Sequence, residues 1–153
     1  MIIIPGQLSE DGERLTGKES AGLEDIHDDV EIDKLNPVHY NVLAQLVSGR
    51  LIVRGVLKTT ASLLCARCAQ IFDKRITEQD FMAEQEIVDP NQPVDLTSEV
   101  RESILLALPS KPLCRVTCRG LCPRCGGNLN QGACRCPPAA IPCGGAFDGL
   151  TLQ

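Results

Sequence analysis

Cys114-Arg-Val-Thr-Cys118-Arg-Gly-Leu-Cys122-Pro-Arg-Cys125-Gly-Gly-Asn128-Leu-Asn130-Gln-Gly-Ala-Cys134-Arg-Cys136 is the stretch around which the chain is organised. Six of the nine cysteines fall within these twenty-three residues. Apolar periodicity is missing between them, and Gly, Arg, Asn and Pro fill the gaps, which is the composition of turns. A segment with no apolar core of its own can be ordered by a metal, and Zn²⁺ held by four thiolates is the usual solution. Cys122-Pro-Arg-Cys125-Gly126 reads as a knuckle: two thiolates on one tight turn, then a glycine able to take positive φ. Cys134-Arg-Cys136 supplies two more donors. Cys114 and Cys118 make a looser pair, and Cys65-Ala-Arg-Cys68 a further one upstream.

Four pairs make two Cys₄ sites and leave Cys143 over. The preferred grouping is Cys122/Cys125 with Cys134/Cys136, and Cys65/Cys68 with Cys114/Cys118. Spacing alone does not fix this pairing, and four thiolates also suit iron–sulfur clusters. A disulfide framework and lone reduced thiols are the competing readings. A redox Cys-x-x-Cys sits at a strand-to-helix turn, whereas Cys65/Cys68 lies between strand patterns. Four-thiolate sites are closed, and no His lies near them, so a structural rather than a catalytic metal is expected. No Cys–His pair, phosphate-binding glycine loop or pair of catalytic carboxylates stands out, so no enzymatic activity is expected.

The 153 residues bound the chain to one domain, or one with an appendage, and 43% hydrophobic content supports a core. With no Trp, one Tyr and three Phe, rows of aromatic stacking platforms are disfavoured. The opening Met-Ile-Ile-Ile-Pro-Gly has no basic region and does not read as a signal peptide. No apolar run approaches the ~20 residues of a membrane span. These features predict a cytoplasmic protein with reduced thiols.

Net charge is −5, unevenly divided. Residues 1–102 hold nineteen acids and ten bases. Residues 103–147 hold no acid and five bases: Lys111, Arg115, Arg119, Arg124 and Arg135. These bases either offset thiolate charge or form a small face for RNA phosphates or a partner, with an acidic body discouraging non-specific contacts.

Three regions follow. Residues 1–34 comprise a short strand, Ile2 to Ile4, and an acidic stretch, 9–34, read as mostly loop. His27 beside Asp28 and Asp29 is read as part of that solvated loop and not as a metal site. Residues 35–110 form an α+β body. Alternation predicts a hairpin, His39–Val47 with Arg50–Thr60, turning at Ser48-Gly49 and bulged or bent at Gly55. A strand Ala61–Leu64 runs into a hairpin tip at Cys65–Cys68, Ile71–Ile76 leads away, and Phe81–Ile87 is a last strand. After the loop Asp89–Pro93, Leu96, Val100, Ile104 and Leu108 mark a helix widened by Leu105 and Ala107. Asp95 or Thr97 caps it, Glu99 suits its first turn and Pro109 ends it. Residues 111–153 are the cysteine-rich metal-binding tail, and Phe147 to Leu152 is apolar enough to dock. The fold class is therefore α+β: a small antiparallel sheet or open barrel, one packed helix, and a cysteine-rich zinc-binding C-terminal segment.

Three features now combine: the Leu64-Cys65-Ala-Arg-Cys68 tip with Ile71-Phe72, the helix Asp95 to Leu108 closed by Pro109, and Cys118-Arg-Gly-Leu-Cys122-Pro-Arg-Cys125-Gly-Gly-Asn128-Leu-Asn130 with Cys134 and Cys136 behind. Over residues 35–136 this resembles the YceD family, the large ribosomal RNA subunit accumulation proteins. The resemblance implies a non-enzymatic factor supporting 23S rRNA accumulation and large-subunit biogenesis. It implies metal ligation by Cys65, Cys68, Cys114, Cys118, Cys122, Cys125, Cys134 and Cys136, with two structural zincs. The expected partners are rRNA or a large-subunit ribosomal protein, met by Lys111, Arg115, Arg119, Arg124 and Arg135, with no membrane and no small-molecule substrate. Asn128 and Asn130 read as turn residues that satisfy backbone groups. The alternatives are an adaptor that binds a basic ribosomal protein through the acidic half, and a thiol redox sensor.

Overall fold

The computed structural model describes residues 1–9, 11–20 and 32–137. Their elements run in the order β1 (Ile2–Ile3), a 3-10 turn (Pro5–Gln7), β2 (Glu13–Glu19), β3 (Ile32–Leu35), β4 (Val38–Val47), β5 (Arg50–Leu64), β6 (Ile71–Glu86), β7 (Val94–Asp95) and α1 (Thr97–Leu106). Strand β5 is the spine. One edge pairs antiparallel with β6, and the other takes β4 along Arg50–Lys58 and β3 along Ala61–Leu63. β3 and β4 are separated only by Asn36 and Pro37, where proline has no N–H for a ladder. The Asn36 amide reaches the Thr60 carbonyl at 3.0 Å, and the Thr59 hydroxyl donates to the Asn36 carbonyl at 2.7 Å. β2 lies outside β4, so the described sheet is open, with β2 and β6 at its edges, and it closes no barrel. β1 and β7 form a separate two-stranded ladder that leads into the helix.

The β4–β5 hairpin turns at Ser48 and Gly49, with φ of 51° and 78°, the paired positive values that match the twist of tight hairpins. Gly55 is pressed against β4: a Cβ there would overlap the Asn41 carbonyl oxygen and the Val42 Cα. On its other side the ladder slips by one residue between Gly55 and Leu57, and the extra residue lies on β6. That bulge shifts the inward phase of β6 from Phe72 and Ile76 to Phe81 and Ala83. It also explains one departure from expectation. Ala61–Leu64, Ile71–Ile76 and Phe81–Ile87 read as separate strands, yet β5 and β6 run on unbroken, because hydrogen bonding continues through a phase change that breaks the apolar pattern.

A second departure concerns residues 9–34, expected as mostly loop. Glu13–Glu19 is a full strand paired to β4, and the boundary expected between residues 34 and 35 falls inside β3. Four of its seven residues are charged, which an edge strand tolerates because one side meets water. Leu15 packs against the core. Residues 21–31, with His27, lie outside the described residues, as do Cys143 and Phe147 to Leu152.

Helix α1 starts where the Asp95 carboxylate accepts the Thr97 amide at 2.9 Å, so Asp95 is the capping acceptor. Thr97 holds that carboxyl below its usual range. Leu96, Val100 and Ile104 are buried, and the helix ends at Leu106, ahead of Pro109. The core runs down the long axis of β5 and β6 in three joined clusters. Val38, Val42, Leu51, Val53, Leu57 and Phe81 pack with the helix. Ala61, Leu63 and Ile76 come next, with Leu35 touching both clusters. Phe72 links this second cluster to Cys65, Cys68 and Cys118. The interior thus grades from aliphatic carbon to sulfur.

Candidate metal centres

Both cysteine knuckles fold the same way. The Ala69 amide bonds the Cys65 carbonyl at 2.9 Å, and the Gly126 amide bonds the Cys122 carbonyl at 2.9 Å. The Cys65 amide then reaches the Gln70 carbonyl at 2.9 Å, as the Cys122 amide reaches that of Gly127 at 2.8 Å. This geometry needs a left-handed residue after the second cysteine. Gly126 supplies it with φ of 69°, as its position in the sequence suggests, and Ala69 supplies it with φ of 54° despite its Cβ.

The sulfurs gather in two groups of four, Cys65/Cys68/Cys114/Cys118 and Cys122/Cys125/Cys134/Cys136, each with all donor atoms within 4.8 Å of one another. In the first group Cys65 lies 3.9 Å from Cys118, and Cys68 lies 3.7 Å from Cys114. A tetrahedron with ~2.3 Å metal–sulfur bonds has edges of about 3.8 Å, whereas a disulfide needs ~2.05 Å. All eight described cysteines are free thiols. Cys122 and Cys134 in the second group approach to 3.3 Å. Each group can hold a metal ion.

The groups differ in burial and reach. Cys65, Cys68 and Cys118 are buried, and their group joins the β5–β6 tip to the tail. Backbone bonds reinforce that join: the Ala66 amide to the Pro112 carbonyl at 2.8 Å and the Leu121 amide to the Arg67 carbonyl at 3.1 Å. The Arg67 guanidinium also donates to the Cys118 carbonyl at 3.1 Å. The second group lies wholly within the tail, with Cys122 buried and Cys125 exposed.

Asn128 and Asn130 brace the turn beside Cys118 of the first group. The side-chain oxygen of Asn130 accepts the Arg119 amide at 2.8 Å, and that of Asn128 accepts the Asn130 amide at 2.9 Å. Both act as turn residues. Asn130 also does something that sequence reasoning missed: its amide nitrogen donates to the Cys118 sulfur at 3.3 Å. The spacing Cys118-x₁₁-Asn130 carries no signal for this contact, because the turn alone accounts for an asparagine there.

The electrostatics of four close sulfurs favour a cation. Burial pushes the Cys65 thiol up, but the amides of Cys114, Arg67 and Cys68 aimed at its sulfur outweigh this and bring it down to about 6. The Cys125 and Arg124 amides bring Cys122 to about 6. Burial, then the neighbouring Cys118 and Cys65 sulfurs, push Cys114 up to about 12. Cys125, with burial behind it, pushes Cys136 up to about 12. Without a positive charge at the centre, like-charge repulsion keeps part of each group protonated. A divalent ion lets all four ionise.

Lys111, Arg115, Arg119, Arg124 and Arg135 are all exposed, and no carboxylate among the described residues pairs with them.

A family model described as large ribosomal RNA subunit accumulation protein YceD matches residues 76–143. Residues 76–143 belong to the YceD family. The match takes in β6 beyond Arg75, the helix, and all the tail cysteines of both groups, and leaves Cys65 and Cys68 upstream. Among curated relatives, a chloroplast protein of Zea mays named large ribosomal RNA subunit accumulation protein YCED homolog 1 is 24% identical over 147 residues, covering 69% of this chain and 50% of its own. An uncharacterized protein of Mycobacterium tuberculosis is 27% identical over 115 residues, covering 63% and 54%. One from Mycobacterium leprae is 28% identical over 111 residues, covering 61% and 49%. The chain spans about half the length of these curated relatives. No solved structure matches it.

Proposed function

We propose that the chain is a zinc-stapled factor that supports accumulation of 23S rRNA in large-subunit biogenesis and works by binding, not by catalysis. The YceD match over residues 76–143 carries this reading. Zinc is favoured by donor chemistry: two closed sets of four sulfurs, in the first of which the separations suit one tetrahedral ion. In this reading the body, 35–110, presents the tail, 111–153. The first zinc fixes the tail to the β5–β6 tip, and the second orders the loop that carries Arg124 and Arg135. Lys111, Arg115 and Arg119 complete a set of cations for rRNA phosphates or for a ribosomal protein.

Two measurements test it. Elemental mass spectrometry on protein purified without chelator is expected to give two zincs per chain. Metal-free protein whose cysteines all titrate as free thiols overturns the zinc assignment. Depletion of the protein in its source cells is expected to lower 23S rRNA relative to 16S rRNA, and an unchanged ratio overturns the biogenesis role.

A further inference from the structure

The five tail cations lie in residues 103–147, which contain no acid, while the −9 balance of residues 1–102 suggests a uniformly acidic body. Strand register says otherwise. Side chains alternate across a sheet, and directly paired residues share a face. The face of β5 that carries Leu51, Val53, Leu57, Thr59, Ala61 and Leu63 is buried. The opposite face carries Arg54 and Lys58. Pairing sets Arg14, Leu43 and Arg54 in one row across β2, β4 and β5, and Lys18, His39 and Lys58 in another. Lys58 continues to Thr77, and Thr60 pairs with Arg75 on the same side. Lys34 and Arg50 also lie on this face, so it gathers seven of the ten bases in residues 1–102.

Five carboxylates share the face: Asp33 lies beside Lys34, and Asp80 lies in the bulge opposite Val56, between Arg54 and Lys58, while the other three are engaged or peripheral. Glu84 pairs with Arg50, Glu86 lies opposite Arg50, and Asp73 is taken by the Ser62 hydroxyl at 2.6 Å. Arg14, Lys18, Arg54, Lys58 and Arg75 are exposed and have no carboxylate partner among the described residues. Arg54 is instead aimed by a neutral acceptor, donating to the Gln45 side-chain oxygen at 3.0 Å. An open pocket of about 440 Å³ lies among these groups, lined by His39, Lys58 and Arg75 together with Asn36, Thr60 and Thr77. It forms where β3 gives way to β4 at Asn36–Pro37, so the break in the strand opens a basic recess. Its volume falls within the ~300–1,000 Å³ of sites that take small organic groups.

We infer that this open face of the sheet is an RNA-backbone surface, with Arg14, Lys18, Arg54, Lys58 and Arg75 on phosphates and the His39 recess taking one nucleotide's sugar-phosphate. The inference rests on the rRNA reading above and deepens it by naming the surface. Concentrated cations on an otherwise acidic protein fit a polyanion, and a basic ribosomal protein is repelled here. The few aromatics confine the contact to phosphate and ribose, because base stacking has no platform on this face.

The test is filter binding of the full, zinc-loaded chain to transcribed large-subunit rRNA across a salt series. It compares wild type, a sheet variant (Arg54→Gln, Lys58→Gln, Arg75→Gln) and a tail variant (Arg115→Gln, Arg119→Gln, Arg124→Gln). All six side chains are exposed, and unchanged melting temperatures check the folds. The sheet variant is expected to bind about tenfold to hundredfold more weakly, with a log–log salt slope shallower by about 2, at ~0.7 per lost contact. Wild-type affinity and slope in the sheet variant, with loss confined to the tail variant, overturn the inference and leave the rRNA reading standing. No binding by wild type, with capture of a large-subunit ribosomal protein instead, overturns the inference and leaves the biogenesis role to the rRNA ratio above.

Discussion

Ala69 holds a conformation that a side chain resists. Its φ of 54° closes the first knuckle as Gly126 closes the second. Left-handed backbone costs a non-glycine residue ~1–2 kcal/mol, part of which glycine returns through its looser unfolded chain. Ala69→Gly is therefore expected to stabilise the metal-loaded protein by about 0.5–1 kcal/mol in denaturant melts, and Gly126→Ala to destabilise it by a similar amount. Equal midpoints for Ala69→Gly and wild type would show that the turn is not strained. Asn130 offers a second residue-level test. Asn130→Asp keeps the oxygen that accepts the Arg119 amide but removes the donor to Cys118 and adds an anion beside its sulfur. Outer-shell changes of this kind cost about 10–100-fold in metal affinity. Chelator competition should show that loss at the first site only. The sulfur donors were legible in the sequence because cysteine pairs at knuckle spacing have few other uses. The amide of Asn130 behind them was not, since an asparagine in a Gly- and Asn-rich stretch already has a sufficient reason to be in a turn.

Among the elements, the β5–β6 hairpin and α1 carry most of the arrangement. Ile104 is fully buried, whereas Leu106 on the same helix is 78% exposed. Ile104→Ala should cost ~2–5 kcal/mol, and Leu106→Ala less than ~0.5 kcal/mol, by chemical denaturation. Comparable losses from both would contradict the packed face assigned to the helix. The helix was legible because its apolar residues keep a constant period and a proline marks its end. The long strands were only partly legible: a bulge at Gly55 changes phase midway along β6, and period is the signal a reader follows. Strand β2 was hidden for a different reason. Edge strands face water on one side, so Glu13, Arg14, Lys18 and Glu19 remain compatible with pairing while giving the composition of a loop. β7, two residues long, leaves no periodic trace at all.

For the whole molecule, the two centres divide the labour unequally. The first joins body to tail, and the second orders the tail alone. Cys65→Ser should release the tail from the hairpin tip, seen as faster amide exchange at Ala66 and Leu121. Cys125→Ser should leave those amides protected. Protons compete with metal for the same sulfurs, so affinity falls as pH falls. Cys65 and Cys122, held at about 6, remain thiolates above that pH and are lost below it. Cys114 and Cys136, at about 12, must shed protons whenever metal enters at neutral pH. Metal affinity measured against pH should therefore decline from alkaline values and steepen below about pH 6. A flat profile from pH 8 to 5 would contradict thiolate ligation. At this scale the sequence was least informative about charge. Summing acids and bases along 1–102 hides a sheet that gathers most of its bases on one face, because register, and not position in the chain, decides which side chains are neighbours.

The hairpin tip also sets a timetable for the chain as it is made. Cys118, the last donor of the first group, follows Cys68 by 50 positions, so the tip leaves the ribosome with half of its donor set and waits for the rest. At ~5–20 residues per second that interval lasts roughly 2.5–10 s. Cys122, Cys125, Cys134 and Cys136 emerge almost together and need no such wait. The newborn protein thus passes through a period in which two thiols at the end of a finished β-hairpin are open to any metal or oxidant nearby, and completing the tail ends it.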